Sequence, residues 1–256
     1  MAEIKLNPIS IQNGVYILST IDNEFETTYL KVREKENRIY SDGELRNLPF
    51  ASDSNPHKKE WELRAKSYLR FERYLKSQNI VMNILDLGCG NGWFCGQLSN
   101  SFNLNFYCFD INLTELYQGR RVFHSEKVIF IYADIFEAAL PDNSFDIVII
   151  NAAIQYFPDL KNLLNRLLPI LTDQGEIHII DSPIYSENEA IKAKQRTKDY
   201  YSEMGFTEMI DNYHHHSWEV FRETDYKILY NPRSIINRLK KVISKDSPFP
   251  WIKVTR

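Results

Sequence analysis

Apolar and polar positions change their rhythm three times along the chain. From Ile80 to about Ser182, near-continuous apolar runs alternate with amphipathic stretches: "IVMNILDLG", "NFYCFDI", "KVIFIYADI", "SFDIVIINAAI" and "GEIHIIDSP". Such runs read as strands buried on both faces. Between them, helices are expected from about Trp93 to Asn100, over "NLTELYQGRRVF", and over Leu160 to Leu171. Strands alternating with helices predict a parallel, doubly wound α/β sheet. Upstream, Pro56 to Gln78 repeats Trp61, Ala65, Tyr68, Leu69 and Leu75 on one helical face. Residues 1–50 alternate with a period of two in "GVYILST", "TTYLKVR" and "NRIYSDG", separated by polar turns. They predict a small N-terminal β-meander.

Downstream, "ENEAIKAKQRTKDYYSEM" predicts a helix and "MIDNYHHHSW" an irregular run. "YKILYNP", "SIINRLKKV" and "PWIKVTR" then read as strand, helix, strand. The expected architecture is a Rossmann-like, seven-stranded sheet whose sixth and seventh strands are "YKILYNP" and "PWIKVTR", the last antiparallel. Residues 1–50 form a β-rich extension, residues 51–256 the main domain, and about 184–216 an insertion placed as a lid after the fifth strand.

Composition narrows the function. A hydrophobic fraction of 43% in 256 residues supports a large core without disulfides. A net charge of −3 and no long basic block argue against nucleic acid as a partner. The cysteines, Cys89, Cys95 and Cys108, form no C-x-x-C pair, which argues against a disulfide frame or a bound metal. They read as reduced thiols of a cytoplasmic protein. "MAEIKLNPIS" has no secretory h-region. The apolar run Phe145 to Ile154 is too short for a membrane span. A monomer or homodimer is expected.

The chemistry concentrates in "ILDLGCGNGWF", Ile84 to Phe94. Gly88, Gly90 and Gly92 follow a buried strand and open a helix, so backbone N–H groups face whatever binds there. A dinucleotide fingerprint would need glycine where Trp93 stands. The spacing G-x-G-x-G with Asp86 before it instead resembles the first motif of class I S-adenosylmethionine-dependent methyltransferases. Within that family the type 11-like, small-molecule group is the nearest in character. The resemblance covers about residues 80–182: "FDI" at Asp110, "ADIFEAALPDNSFDIVIINAAIQYFPD" and "LLPILTDQGEIHI" keep the family's order.

The resemblance implies a cofactor set. Asp86 steadies the loop and, through water, the ligand's ammonium. Asp110 takes the ribose hydroxyls, beside Ile111. Asp134 and the N–H of Ile135 meet the adenine, and Asn151 lies by the methionine moiety. Arg64, on the preceding helix, is the candidate for the ligand carboxylate. Plainer readings stand beside these: Asp110 or Asp134 can serve as a helix cap, and Asn112 is an equally good cap.

Gln155 and Tyr156 follow the fourth strand, where the family faces the methyl donor; with Tyr200 and Tyr213 they are candidate acceptor contacts. His214 and His215 are candidate general bases, or else part of a polar turn. His178 reads as a satisfied core histidine, His57 and His124 as solvent-facing. "NAAI" replaces the N/D-P-P-Y/F motif of exocyclic-amine methyltransferases. The expected function is methyl transfer from S-adenosylmethionine, leaving S-adenosylhomocysteine, to an oxygen or carbon of a small molecule. Two alternatives remain open: an adenosyl-binding module without turnover, and a protein methyltransferase that docks its substrate on residues 1–50.

Overall fold

A computed structural model describes residues 4–22, 24–78, 83–237 and 245–256. Nine strands among them make one sheet: β1 (Ser10–Gln12), β2 (Val15–Ile17), β3 (Asn83–Leu87), β4 (Asn105–Asp110), β5 (Val128–Tyr132), β6 (Phe145–Asn151), β7 (Leu171–Ile180), β8 (Asp225–Tyr230) and β9 (Trp251–Thr255). The order is β1-β2-β5-β4-β3-β6-β7-β9-β8. β3, β4, β5, β6 and β7 pair in parallel, while β9 runs antiparallel to both β7 and β8. The seven strands read from the sequence are all present, and a hairpin adds two more. β2 pairs in parallel with β5, so the first residues of the chain extend the sheet's edge.

The helices are α1 (Glu24–Lys35), α2 (Asp42–Asn47), α3 (Lys58–Lys76), α4 (Trp93–Leu98), α5 (Leu113–Val122), α6 (Leu160–Leu167) and α7 (Glu187–Met204). Apolar side chains cover both faces of the sheet. Ile84, Cys108 and Phe130 point to α3, α4 and α5, and Leu85, Phe109 and Val148 to the other face, with Leu163 and Leu164 of α6.

The meander is the clearest departure from the sequence reading. Of the three runs only "GVYILST" holds a strand, β2, which pairs with β1 just before it; "TTYLKVR" lies in α1, and the end of "NRIYSDG" enters α2. A short alternating run fits a period of two, but tertiary contact decides. Phe25, Tyr29 and Val32 of α1 pack with Tyr201, Met204 and Met209. α2 opens with a capping box between Ser41 and Glu44. Glu26, buried in α1, accepts from the backbone N–H groups of Leu113 and Thr114 at 3.1 and 2.9 Å, so one helix caps another.

The insertion at about 184–216 contains α7 and a 3-10 turn at Thr207–Ile210. Tyr185 and Ser217 form a bridge that closes its base. It packs on α1, and α1 in turn lies over the site. "SIINRLKKV" and the start of "IVMNILDLG" extend outside the described residues.

Candidate active site

The carboxyl ends of β3, β4, β5 and β6 surround a cavity of about 460 Å³. The loop after β3 forms its floor. Gly88, Gly90 and Gly92 all have positive φ, at 71°, 56° and 68°, a backbone that residues with side chains rarely adopt. Gly88 and Gly90 line the cavity, but Gly92 does not. A Cβ on Gly92 would stand 2.5 Å from the Phe130 ring, so this third glycine serves packing between α4 and β5.

Asp110 ends β4 and lines the cavity. Its oxygens accept from the N–H groups of Gly90 at 2.7 Å and Asn112 at 2.8 Å. It therefore holds the glycine loop from below as well as facing the cavity. Burial pushes its carboxyl up to about 6, against the pull of those N–H donors. Asn112 supplies the side-chain cap of α5, accepting from the N–H of Glu115. Ile111, Asp134 and Ile135 also line the cavity. One oxygen of Asp134 caps the N–H of Phe136 at 2.8 Å, while its own N–H donates to Ser19, just beyond β2. Asn151, at the end of β6, lines the same space, and its side-chain oxygen is buried without a partner among the described residues.

Arg64 reaches the cavity from α3. Glu60 holds its guanidinium at 2.9 Å and that of Arg38 at 2.5 Å. The rings of Trp61 and Trp93 meet edge to face at 5.3 Å in the wall below them. Over the cavity lie Phe25, Tyr29 and Arg33, spaced four residues apart on α1. Arg33 donates to the Tyr29 hydroxyl at 3.0 Å, and Tyr29 meets Tyr156 edge to face at 5.8 Å. Glu115, in the first turn of α5, is a further acid in the lining; burial, then the charge of Asp110, push it up to about 7.

Sequence reasoning missed the α1 residues, although their four-residue spacing was there to read. It also passed over Arg38 and Glu115.

Other expected residues lie outside the lining. Asp86 is buried behind the loop. Among the described residues no N–H or O–H donor reaches either of its oxygens; the thiols of Cys95 and Cys108 are its neighbours, with the ligating atoms of all three within 4.8 Å of one another. Burial, then the proximity of Cys108, holds this carboxyl well above the usual carboxylate range. Gln155 turns its amide to the carbonyl of Ala152 at 2.6 Å, and only its neighbour Tyr156 lines the cavity. Tyr200 is exposed and donates to Glu36 at 2.5 Å. Tyr213 packs against Tyr156 and Tyr201 one layer further out.

The histidines are also structural in their contacts. The His214 N–H donates to the carbonyl of Gln155 at 2.7 Å. The His215 ring meets Thr197 at 2.9 Å, and His216 meets the carbonyl of Ile154 at 2.9 Å. Burial, then the neighbouring His216, lowers His215 to about 4. None of the three lines the cavity; from this segment Asn212 does. Three successive side chains diverge, so they do not share one site. His178 is buried between Glu176 and the Trp251 indole, as a satisfied core residue. His57 is half-buried, its ring bonded to the carbonyl of Glu36 at 2.7 Å rather than free in solvent.

With this geometry in view, relatives are informative. The family model described as "Methyltransferase domain" matches residues 79–247, more than half of the chain. The chain belongs to this methyltransferase family. An uncharacterized methyltransferase of Mycobacterium bovis is 30% identical over 97 residues, which cover 38% of this chain and 49% of that protein. A malonyl-[acyl-carrier protein] O-methyltransferase of Acetivibrio thermocellus is 34% identical over 95 residues, 37% of this chain and 33% of the relative. The methyltransferase chain thus spans about half the length, or less, of these relatives. In fold it is similar to the plantazolicin methyltransferase solved with S-adenosylhomocysteine, at a TM-score of 0.51 and 19% identity, covering 90% of this chain and 100% of the other. Geranyl diphosphate methyltransferase with sinefungin gives a TM-score of 0.54 at 10% identity, covering 76% and 77%. Among the described residues of this methyltransferase, no helix is long and apolar enough to cross a membrane.

Proposed function

We propose that this methyltransferase moves a methyl group from S-adenosylmethionine to a small-molecule acceptor and releases S-adenosylhomocysteine. One observation carries the reading: Gly88, Gly90, Asp110, Ile111, Asp134, Ile135, Asn151 and Arg64 converge on a single cavity. The donor fits what these residues offer. The unpartnered oxygen of Asn151 is an acceptor for an ammonium group. Asp110 retains lone pairs for a ribose diol, and Arg64 stands ready for a carboxylate.

The bound donor supplies an electrophilic methyl on a good leaving group. The chain's own share is alignment and exclusion of water, which can account for most of the acceleration of such a displacement. Tyr156, Phe157 and Pro158 form the wall after β6, where the family faces the methyl. Phe25 and Tyr29 close the space from above. Because residues between 25 and 40 line the cavity, this region acts as part of the pocket, which favours a small enclosed acceptor over a protein docked on residues 1–50. Conversion of S-adenosylmethionine to S-adenosylhomocysteine across a panel of hydroxylated and carbon-nucleophile metabolites tests the reading. A melting temperature raised by NAD but by neither adenosyl ligand would overturn it. Binding only to the native state adds RT ln(1 + [L]/Kd), about 2.7 kcal/mol at a hundredfold excess.

A further inference from the structure

One acid in the cavity is unexplained by the glycine loop or the strand ends. Glu115 is the third residue of α5 and lines the cavity. Its Oε2 lies 3.0 Å from where a Cβ on Gly90 would stand, so it leans directly over the loop. Burial is the main influence on its carboxyl, and among the described residues no hydrogen bond is made to it. The charged and titratable groups that face it are Asp110 of β4, Glu26, Tyr29 and Arg33 of α1, and Tyr156 after β6. Arg33 is the one cation among them, and it is bonded to Glu36 and Tyr29 instead. Glu115 is half-buried, with its carboxyl on the cavity and no donor from the chain beside it, so a ligand hydroxyl seated there would supply the hydrogen bond the chain does not.

We propose that Glu115 is a second carboxyl of the nucleoside end of the cavity, accepting one ribose hydroxyl while Asp110 accepts the other. The inference rests on the donor reading above and adds a residue to it. The ligand chemistry that such a pair recognises is a cis-diol beside a cation.

The test is calorimetry on the full chain at neutral pH. Wild-type protein is titrated with S-adenosylmethionine, S-adenosylhomocysteine, and the 2′-deoxy and 3′-deoxy forms of the latter. Glu115→Gln is titrated with the same ligands. The variant should bind S-adenosylhomocysteine about 10- to 100-fold more weakly, as for loss of a charged hydrogen bond. It should bind one deoxy form as the wild type does, because that form lacks the hydroxyl concerned. Wild-type affinity in the variant overturns the proposal. So does an equal loss on every ligand. If the wild type binds neither adenosyl ligand, the donor reading itself falls, which is a separate result.

Discussion

The N–H of Gly90 donates to the carboxylate of Asp110 at 2.7 Å. The residue that faces the cavity from β4 is therefore also the anchor of the loop that forms its floor. Asp110→Ala removes both. It should weaken S-adenosylhomocysteine by at least tenfold, since each charged hydrogen bond lost is worth about 1.5–3 kcal/mol. It should also lower the melting temperature of the free protein. Titration calorimetry and thermal denaturation together check this; unchanged affinity with a lower melting temperature would reduce Asp110 to a loop anchor.

Asp86 gives a pH-dependent prediction. Its folded-state pKa is raised, so its contribution to stability is present below the ordinary carboxylate range and is lost as pH rises through the folded value. Asp86→Asn keeps the shape and cannot ionise. The variant should melt higher than wild type at neutral pH, by about 2 °C or more if ~1 kcal/mol is recovered. The gap should narrow toward pH ~5. A melting temperature below wild type throughout would show that the carboxylate has a use its surroundings do not reveal.

His215 titrates in the opposite sense. Its pKa is depressed by burial, so the stability it contributes is present above about 6.5, the ordinary value for imidazole. That stability is lost as pH falls toward about 4. His215→Gln should flatten the acid limb of the melting profile and leave cofactor affinity unchanged. Turnover should also survive His214→Ala and His215→Ala, because neither side chain lines the cavity. A selective loss of kcat of about 10²-fold or more in either variant would restore a general base to the mechanism.

The α1 helix supplies the last prediction. Removal of residues 1–50 deletes β2, α1 and with them Phe25, Tyr29 and Arg33 of the cavity. Adenosyl binding and turnover should be lost together, in contrast to a detachable docking module, which would leave small-molecule turnover intact. Tyr29→Ala is the milder version. It should raise KM for the acceptor more than it weakens the donor.

The core was legible because its signals are redundant. β3 to β6 are near-continuous apolar runs, and each ends in or just before a glycine, an acid or an asparagine where the cavity lies. The expected positions at Gly88, Gly90, Asp110, Asp134 and Asn151 therefore come together. α1 was not legible as a helix because "TTYLKVR" fits both periods, and only contact with Tyr201 and Met209 selects one. Asp86 was read from its place in a motif, but a strand residue points to one face or the other. Here that face holds Cys95 and Cys108. The three histidines drew attention by composition, yet from that segment Asn212, and none of their rings, lines the cavity.

Glu26 caps α5 from a different helix, through the N–H groups of Leu113 and Thr114 and the Thr114 hydroxyl. The first turn of α5 is thus capped twice, by Asn112 from within and by Glu26 from α1, and that same turn carries Glu115. Glu26 does not line the cavity, yet one carboxylate ties the helix that bears Phe25, Tyr29 and Arg33 to the helix that bears Glu115. A change at Glu26 therefore reaches two walls of the pocket at once without altering a single residue of the floor.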